Sequence, residues 1–97
     1  MLYAIHCLDK DDGAALRQAH AQAHAAYMRA HAAHVVIGGP LLSEDGGRRV
    51  GVMLIGRFDD RAAVDAFLAA EPYARAGLFR QVDVRPFDLI MNHAAAS

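Results

Sequence analysis

The sequence predicts an α+β domain of order β-α-β-β-α-β, a four-stranded antiparallel sheet with both helices on one face. Three observations lead there. A short apolar run opens the chain and stops at the polar turn Asp9-Lys10-Asp11-Asp12-Gly13. An alanine-rich stretch free of Gly and Pro follows. Three more β-type runs then come in turn, with a second amphipathic stretch between the last two. Right-handed crossovers between such elements produce a split βαβ arrangement.

Each element has its own signal. Met1 to Leu8 reads as a strand, and Asp11 or Asp12 is placed to cap the helix after it. Ala14 to about Ala33 reads as one long helix on propensity. Val35-Val36-Ile37 reads as a strand closed by a turn at Gly38-Gly39-Pro40, with Leu41-Leu42 able to extend it before the polar turn Ser43 to Arg48. Val50 to Phe58 reads as a strand with apolar residues on both faces. Asp59-Asp60 opens a second helix carrying Val64, Phe67 and Leu68 on one side, and Glu71-Pro72 breaks it. A short helical turn to Gly77 precedes a last strand from Phe79 to about Ile90. Residues 1–91 are thus expected to form one domain and residues 92–97 a tail.

Composition bounds the function. With 55% hydrophobic and 22% charged residues the chain is globular in type. A net charge of −1 gives no reason to expect nucleic acid or an anionic membrane as partner. The single cysteine, Cys7, has no internal disulfide partner and reads as a small buried hydrophobe. No basic leader and no run of about 18 apolar residues is present, so the expected location is the cytoplasm. The sheet face away from the helices needs cover, and strand apolarity on both sides points to a second subunit.

The long helix carries most of the chemistry. At about 100° per residue, Leu16, His20, Ala23, His24, Tyr27, His31 and His34 share one stripe, which should face the sheet. Three readings of these histidines stay open. They are ordinary part-buried residues bonded to carbonyls. Or His20 and His24, spaced i, i+4, supply two metal ligands, although no convincing third ligand is in view and no metal is expected. Or one of them is a general acid–base oriented by a carboxylate. Arg17 either binds an anionic substrate group or sits in solvent. Tyr27 reads as core, His6 as a pocket wall at most, and His34 as a cation at a helix end. The glycines near Pro40 lack dinucleotide-loop spacing.

Taken in order, Met1-Leu2-Tyr3-Ala4-Ile5, Arg17…His24…Tyr27, Gly39-Pro40-Leu41-Leu42, Gly51, Glu71-Pro72-Tyr73-Ala74-Arg75-Ala76-Gly77-Leu78 and Val84-Arg85-Pro86-Phe87 resemble the YCII-related family. The resemblance covers Met1 to about Phe87 and is closer than that to the antibiotic-monooxygenase or haem-degrading barrels. It implies a ferredoxin-like fold that pairs into a dimeric α/β barrel similar to muconolactone isomerase. It also implies a histidine on the first helix, matched by His24, working with an aspartate before the proline that follows the second helix, a position held here by Glu71. Some members are associated with dehydrochlorination of chlorinated hydroxyquinones. The expected function is therefore a homodimeric lyase or isomerase acting without cofactor on a small cyclic or aromatic acid. In that reading His24 and Glu71 are catalytic, and Arg17, His20 and Tyr73 contact substrate. The alternative is a non-catalytic dimeric module that binds a small ligand or serves as an accessory subunit.

Overall fold

Alternation of apolar side chains makes the first strand the centre of the fold. In the computed structural model, which describes residues 1–94, β1 (Leu2–Asp9) turns Tyr3, Ile5, Cys7 and Asp9 inward and Leu2, Ala4, His6 and Leu8 to the other face. The elements that follow are α1 (Ala14–Ala30), a 3₁₀ turn (Ala32–His34), β2 (Val35–Leu42), β3 (Arg49–Arg57), α2 (Arg61–Ala70), the short α3 (Pro72–Arg75) and β4 (Phe79–Phe87). The four strands pair antiparallel in the order β2-β3-β1-β4. Ile5, Val64 and Leu78 are wholly buried and join the sheet to α2 and the α3 region. Asp60 caps α2 by accepting from the Ala63 N–H at 2.9 Å, as its sequence position predicts.

Several element boundaries differ from the sequence expectation. β2 continues through Gly38-Gly39-Pro40 instead of turning there. It is an edge strand, where a proline without an N–H is tolerated. The start of α1 has Gly13 at its cap with no side-chain bond, not Asp11 or Asp12. A Cβ on Gly13 would lie 2.7 Å from Leu78 Cδ1 and 2.9 Å from the Lys10 carbonyl, so chain proximity selects the residue there. The helix stops at Ala30 and a 3₁₀ turn takes over to His34. β4 ends at Phe87, not Ile90, because its partner Phe87↔Leu2 is the first residue of β1 and no strand remains to pair with residues 88–90. Of the expected tail, Asn92 to Ala94 is irregular apart from one 3₁₀ residue, and residues 95–97 lie outside the described residues.

α1 has no fully buried residue. It touches the core through Leu16, Tyr27 and Met28 and otherwise stands off the sheet beside β2 and β3. The gap under it is where the chemistry-bearing side chains gather.

Candidate active site

Two turns of α1 place Arg17 and His24 seven residues apart on one side of the helix. Glu71 arrives from the opposite direction. It closes α2 and opens α3 with extended backbone (φ −70°, ψ 130°), and Pro72 behind it fixes the first residue of the next helix. One carboxylate oxygen, Oε2, accepts the Ala74 N–H at 2.9 Å and caps α3. The other, Oε1, accepts from His24 Nδ1 at 2.5 Å. An ionised carboxylate only accepts, so neutral His24 carries its proton on Nδ1 and leaves the Nε2 lone pair for a ligand.

Glu71 is 3% exposed, which by itself favours the uncharged acid. Burial pushes its carboxyl up, but the His24 hydrogen bond and the backbone N–H groups of Ala74 and Tyr73 outweigh that and hold it below the ordinary carboxylate value. The ring of His24 stacks on Tyr73, with centroids 4.1 Å apart and planes at 18°. Its orientation is therefore set by a hydrogen bond at its edge and an aromatic surface on its face.

Arg17 lies beside the same tyrosine, its guanidinium carbon 4.7 Å from the ring centroid. It donates from Nε and Nη2 to both oxygens of Asp9, at 2.8 and 3.0 Å, and from Nη2 to the Gly51 carbonyl at 3.0 Å. Desolvation acts to lower its pKa, but the fork to Asp9 more than restores the charge. Arg17 is thus a strut between β1, β3 and α1 as well as a wall of the cleft.

The cleft has a volume of about 490 Å³. Arg17, His24 and Met28 line its α1 side, Gly38 and Pro40 its β2 side, and Tyr73 its end near α3. His20 is half-buried and does not line this cleft. The two histidines just past the end of α1 are held structurally. His31 Nδ1 donates to the Tyr27 carbonyl at 2.8 Å, and His34 Nδ1 donates to the Arg57 carbonyl at 3.0 Å while stacking on Phe58. The Tyr27 hydroxyl donates to the Phe67 carbonyl at 2.7 Å, which is the space-filling role its position predicts. His6 is not a pocket wall here. It lies on the outer sheet face, opposite Asp83 and Met53. Among the described residues no group of three or more His, Cys, Asp or Glu side chains is arranged to hold a metal ion.

Sequence reasoning missed Asp9 and Met28. Asp9 was legible: it ends the inward series Tyr3, Ile5, Cys7, and a carboxylate at the end of a buried stripe requires a cation. Met28, four residues after His24, continues the cleft side of α1.

A split βαβ sheet backed by helices, with a buried carboxylate orienting a histidine at a cleft wall, defines the ferredoxin-like class of α+β domains with a site between helix and sheet. Within that class the chain belongs to the YCII-related family, whose domain it matches over residues 1–88. Among solved structures it is similar to 5-chloro-2-hydroxyhydroquinone dehydrochlorinase (TftG) from Burkholderia phenoliruptrix AC1100, determined as a complex with 2,5-dihydroxybenzoquinone. The TM-score is 0.87 at 28% identity, covering 91% of this chain and 94% of that one. An antibiotic biosynthesis monooxygenase shares the fold at a TM-score of 0.55 and 18% identity, over 94% of this chain and 100% of the other. No curated protein matches the sequence. No described helix is long and apolar enough to cross a membrane.

Proposed function

We propose that this chain is a cytoplasmic, homodimeric enzyme of lyase or isomerase type that uses His24 and Glu71 as an acid–base pair on a small cyclic or aromatic acid, without a cofactor. The observation that carries the reading is the His24 Nδ1 to Glu71 Oε1 hydrogen bond at the wall of a cleft large enough for one substituted ring. Similarity to a dehydrochlorinase with bound dihydroxybenzoquinone supports the reaction class and the kind of ligand.

His24 Nε2 takes a proton from a substrate hydroxyl or from a carbon beside a carbonyl. The resulting imidazolium is stabilised by ionised Glu71, which keeps its own charge throughout. The electron pair left on the substrate either expels a leaving group, such as chloride, or accepts a proton back from His24 at another carbon. The first outcome is elimination and the second isomerisation. Tyr73 holds the imidazole plane, and Arg17, tied to Asp9, backs the tyrosine ring at the cleft wall.

The test is chloride release from 5-chloro-2-hydroxyhydroquinone by the wild type, His24→Ala and Glu71→Gln. Loss of about 10²–10⁴-fold in both variants is expected for a positioned acid–base. Wild-type turnover by His24→Ala would refute the acid–base assignment. Ligand binding without turnover in every variant would make the chain a binding module instead.

The dimer rests on the outer sheet face. Ile37 and Phe87 are 43% and 38% exposed there, on the same side as Ala4 and Met53. A monomer by sedimentation at micromolar concentration would refute it.

A further inference from the structure

Next to the dyad cleft lies a second one, about 680 Å³, between the N-terminal half of α1 and the ends of β1, β3 and β4. The two share Arg17, Ala21, Arg49 and Tyr73, so they adjoin along these side chains. Five of the chain's ten Lys and Arg side chains line the second part: Lys10, Arg17, Arg48, Arg49 and Arg80. In a protein of net charge −1, this is a strong local excess of positive charge.

Not all of that charge is available. Arg17 is neutralised by its fork to Asp9. Arg48 acts on Asp45 in the β2–β3 turn. Asp11 contributes one opposing charge at the rim. Lys10, Arg49 and Arg80 have no ion pair among the described residues. Arg49 is the one of these three that also lines the dyad cleft.

We propose that this basic cleft is an anion subsite, and that the substrate is a hydroxylated ring carrying a carboxylate on a side arm. The ring lies against His24 and Tyr73, and the arm reaches past Tyr73 to Arg49, with Lys10 and Arg80 beyond. Two adjoining volumes accommodate a ligand longer than a bare ring, and the uncompensated Arg49 guanidinium at their junction selects a carboxylate, which a guanidinium binds through two parallel hydrogen bonds. The assignment deepens the acid–base reading and rests on it for where the ring sits.

The test compares binding of 2,5-dihydroxyphenylacetate and 1,4-dihydroxybenzene to the full chain by calorimetry. The acid binds about tenfold or more tightly at low salt, the value of one charge-assisted contact. Its advantage shrinks as salt rises and disappears in the Arg49→Gln/Arg80→Gln variant. Both positions are exposed, so circular dichroism of the variant stays native. An acid that binds no better than the neutral diol overturns the subsite, as does an advantage that survives the double substitution. His24→Ala separates the two readings. It keeps the preference for the acid if the subsite is right, and it loses turnover only if the acid–base reading is right.

Discussion

Replacing Glu71 by glutamine changes one atom and should reverse the proton on His24. In the wild type both carboxylate oxygens accept, one from Ala74 N–H and one from His24 Nδ1. Glutamine offers one oxygen and one NH₂. Its oxygen is retained by the Ala74 N–H, because leaving that cap donor unpaired beside a buried side chain costs about 1–3 kcal/mol. The NH₂ then faces His24, Nδ1 becomes the acceptor, and the proton moves to Nε2. The cleft now meets a donor where it had a base. The substitution also exchanges a charged hydrogen bond, contributing about 1.5–3 kcal/mol, for a neutral one contributing about 0.5–1.5 kcal/mol. The net loss is about 1–2 kcal/mol, or roughly 5–15 °C in Tm for a domain of this size. Long-range ¹H–¹⁵N correlation of the histidine side chains reads the tautomer, and a circular dichroism melt reads the stability. A Glu71→Gln protein in which neutral His24 still carries its proton on Nδ1 would refute the reasoning, whatever the melt shows.

Three further outcomes follow from the same contacts. Glu71 is held below its ordinary value of 4.5, so it adds stability above that pH and loses it as pH falls below 4.5 toward the folded value; urea titrations from pH 6 to pH 3 should show a steeper loss for the wild type than for Glu71→Gln, and parallel curves would contradict this. Gly51→Ala would set a Cβ 2.3 Å from the Cys7 carbonyl and 2.9 Å from Leu41 Cδ1, against backbone that cannot yield. It should cost about 1–3 kcal/mol or more in denaturant unfolding, and an unchanged midpoint would count against the packing described. The Cys7 thiol is pushed up to about 12, by burial first and then by Glu71, Asp9 and Asp83. A thiol-specific disulfide reagent at pH 8 should therefore label it only after unfolding, and prompt native labelling would show the strand to be open.

Most of the architecture was legible because it rests on local periodicities. Alternation in β1 and the apolar spacing in α2 are properties of short windows, and the sheet order follows from handed connections. What the sequence hid depends on neighbours. Gly38-Gly39-Pro40 has turn composition, yet pairing with β3 along the sheet edge keeps it extended. The last strand looked three residues longer than it is, because its end is decided by where β1 begins. At the site, His24 was marked by its place on the helical stripe and by the family resemblance. No spacing rule ties residue 24 to residue 71, and only the fold brings them into contact. Arg17 was read as a ligand-binding cation or a solvated one. Its commitment to Asp9 and the Gly51 carbonyl joins three elements, which no linear pattern reports.

Glutamate at position 71, where the family resemblance leads one to expect aspartate, is accommodated by its dual engagement. An N-cap favours short acceptors, since the side chain must fold back on its own helix. Here the carboxylate serves two directions at once, back to Ala74 and outward to α1. The added methylene gives the group the reach to span them, and the extended backbone before Pro72 aims it between α1 and α3. The same hydrogen bonds that keep it ionised while 3% exposed also fix its position. What this position requires is a carboxylate delivered to Nδ1, and the arm length is absorbed by the cap. The arrangement also couples the cleft to the fold: one side chain caps α3 through Oε2 and orients His24 through Oε1, so truncating it removes both contacts at once.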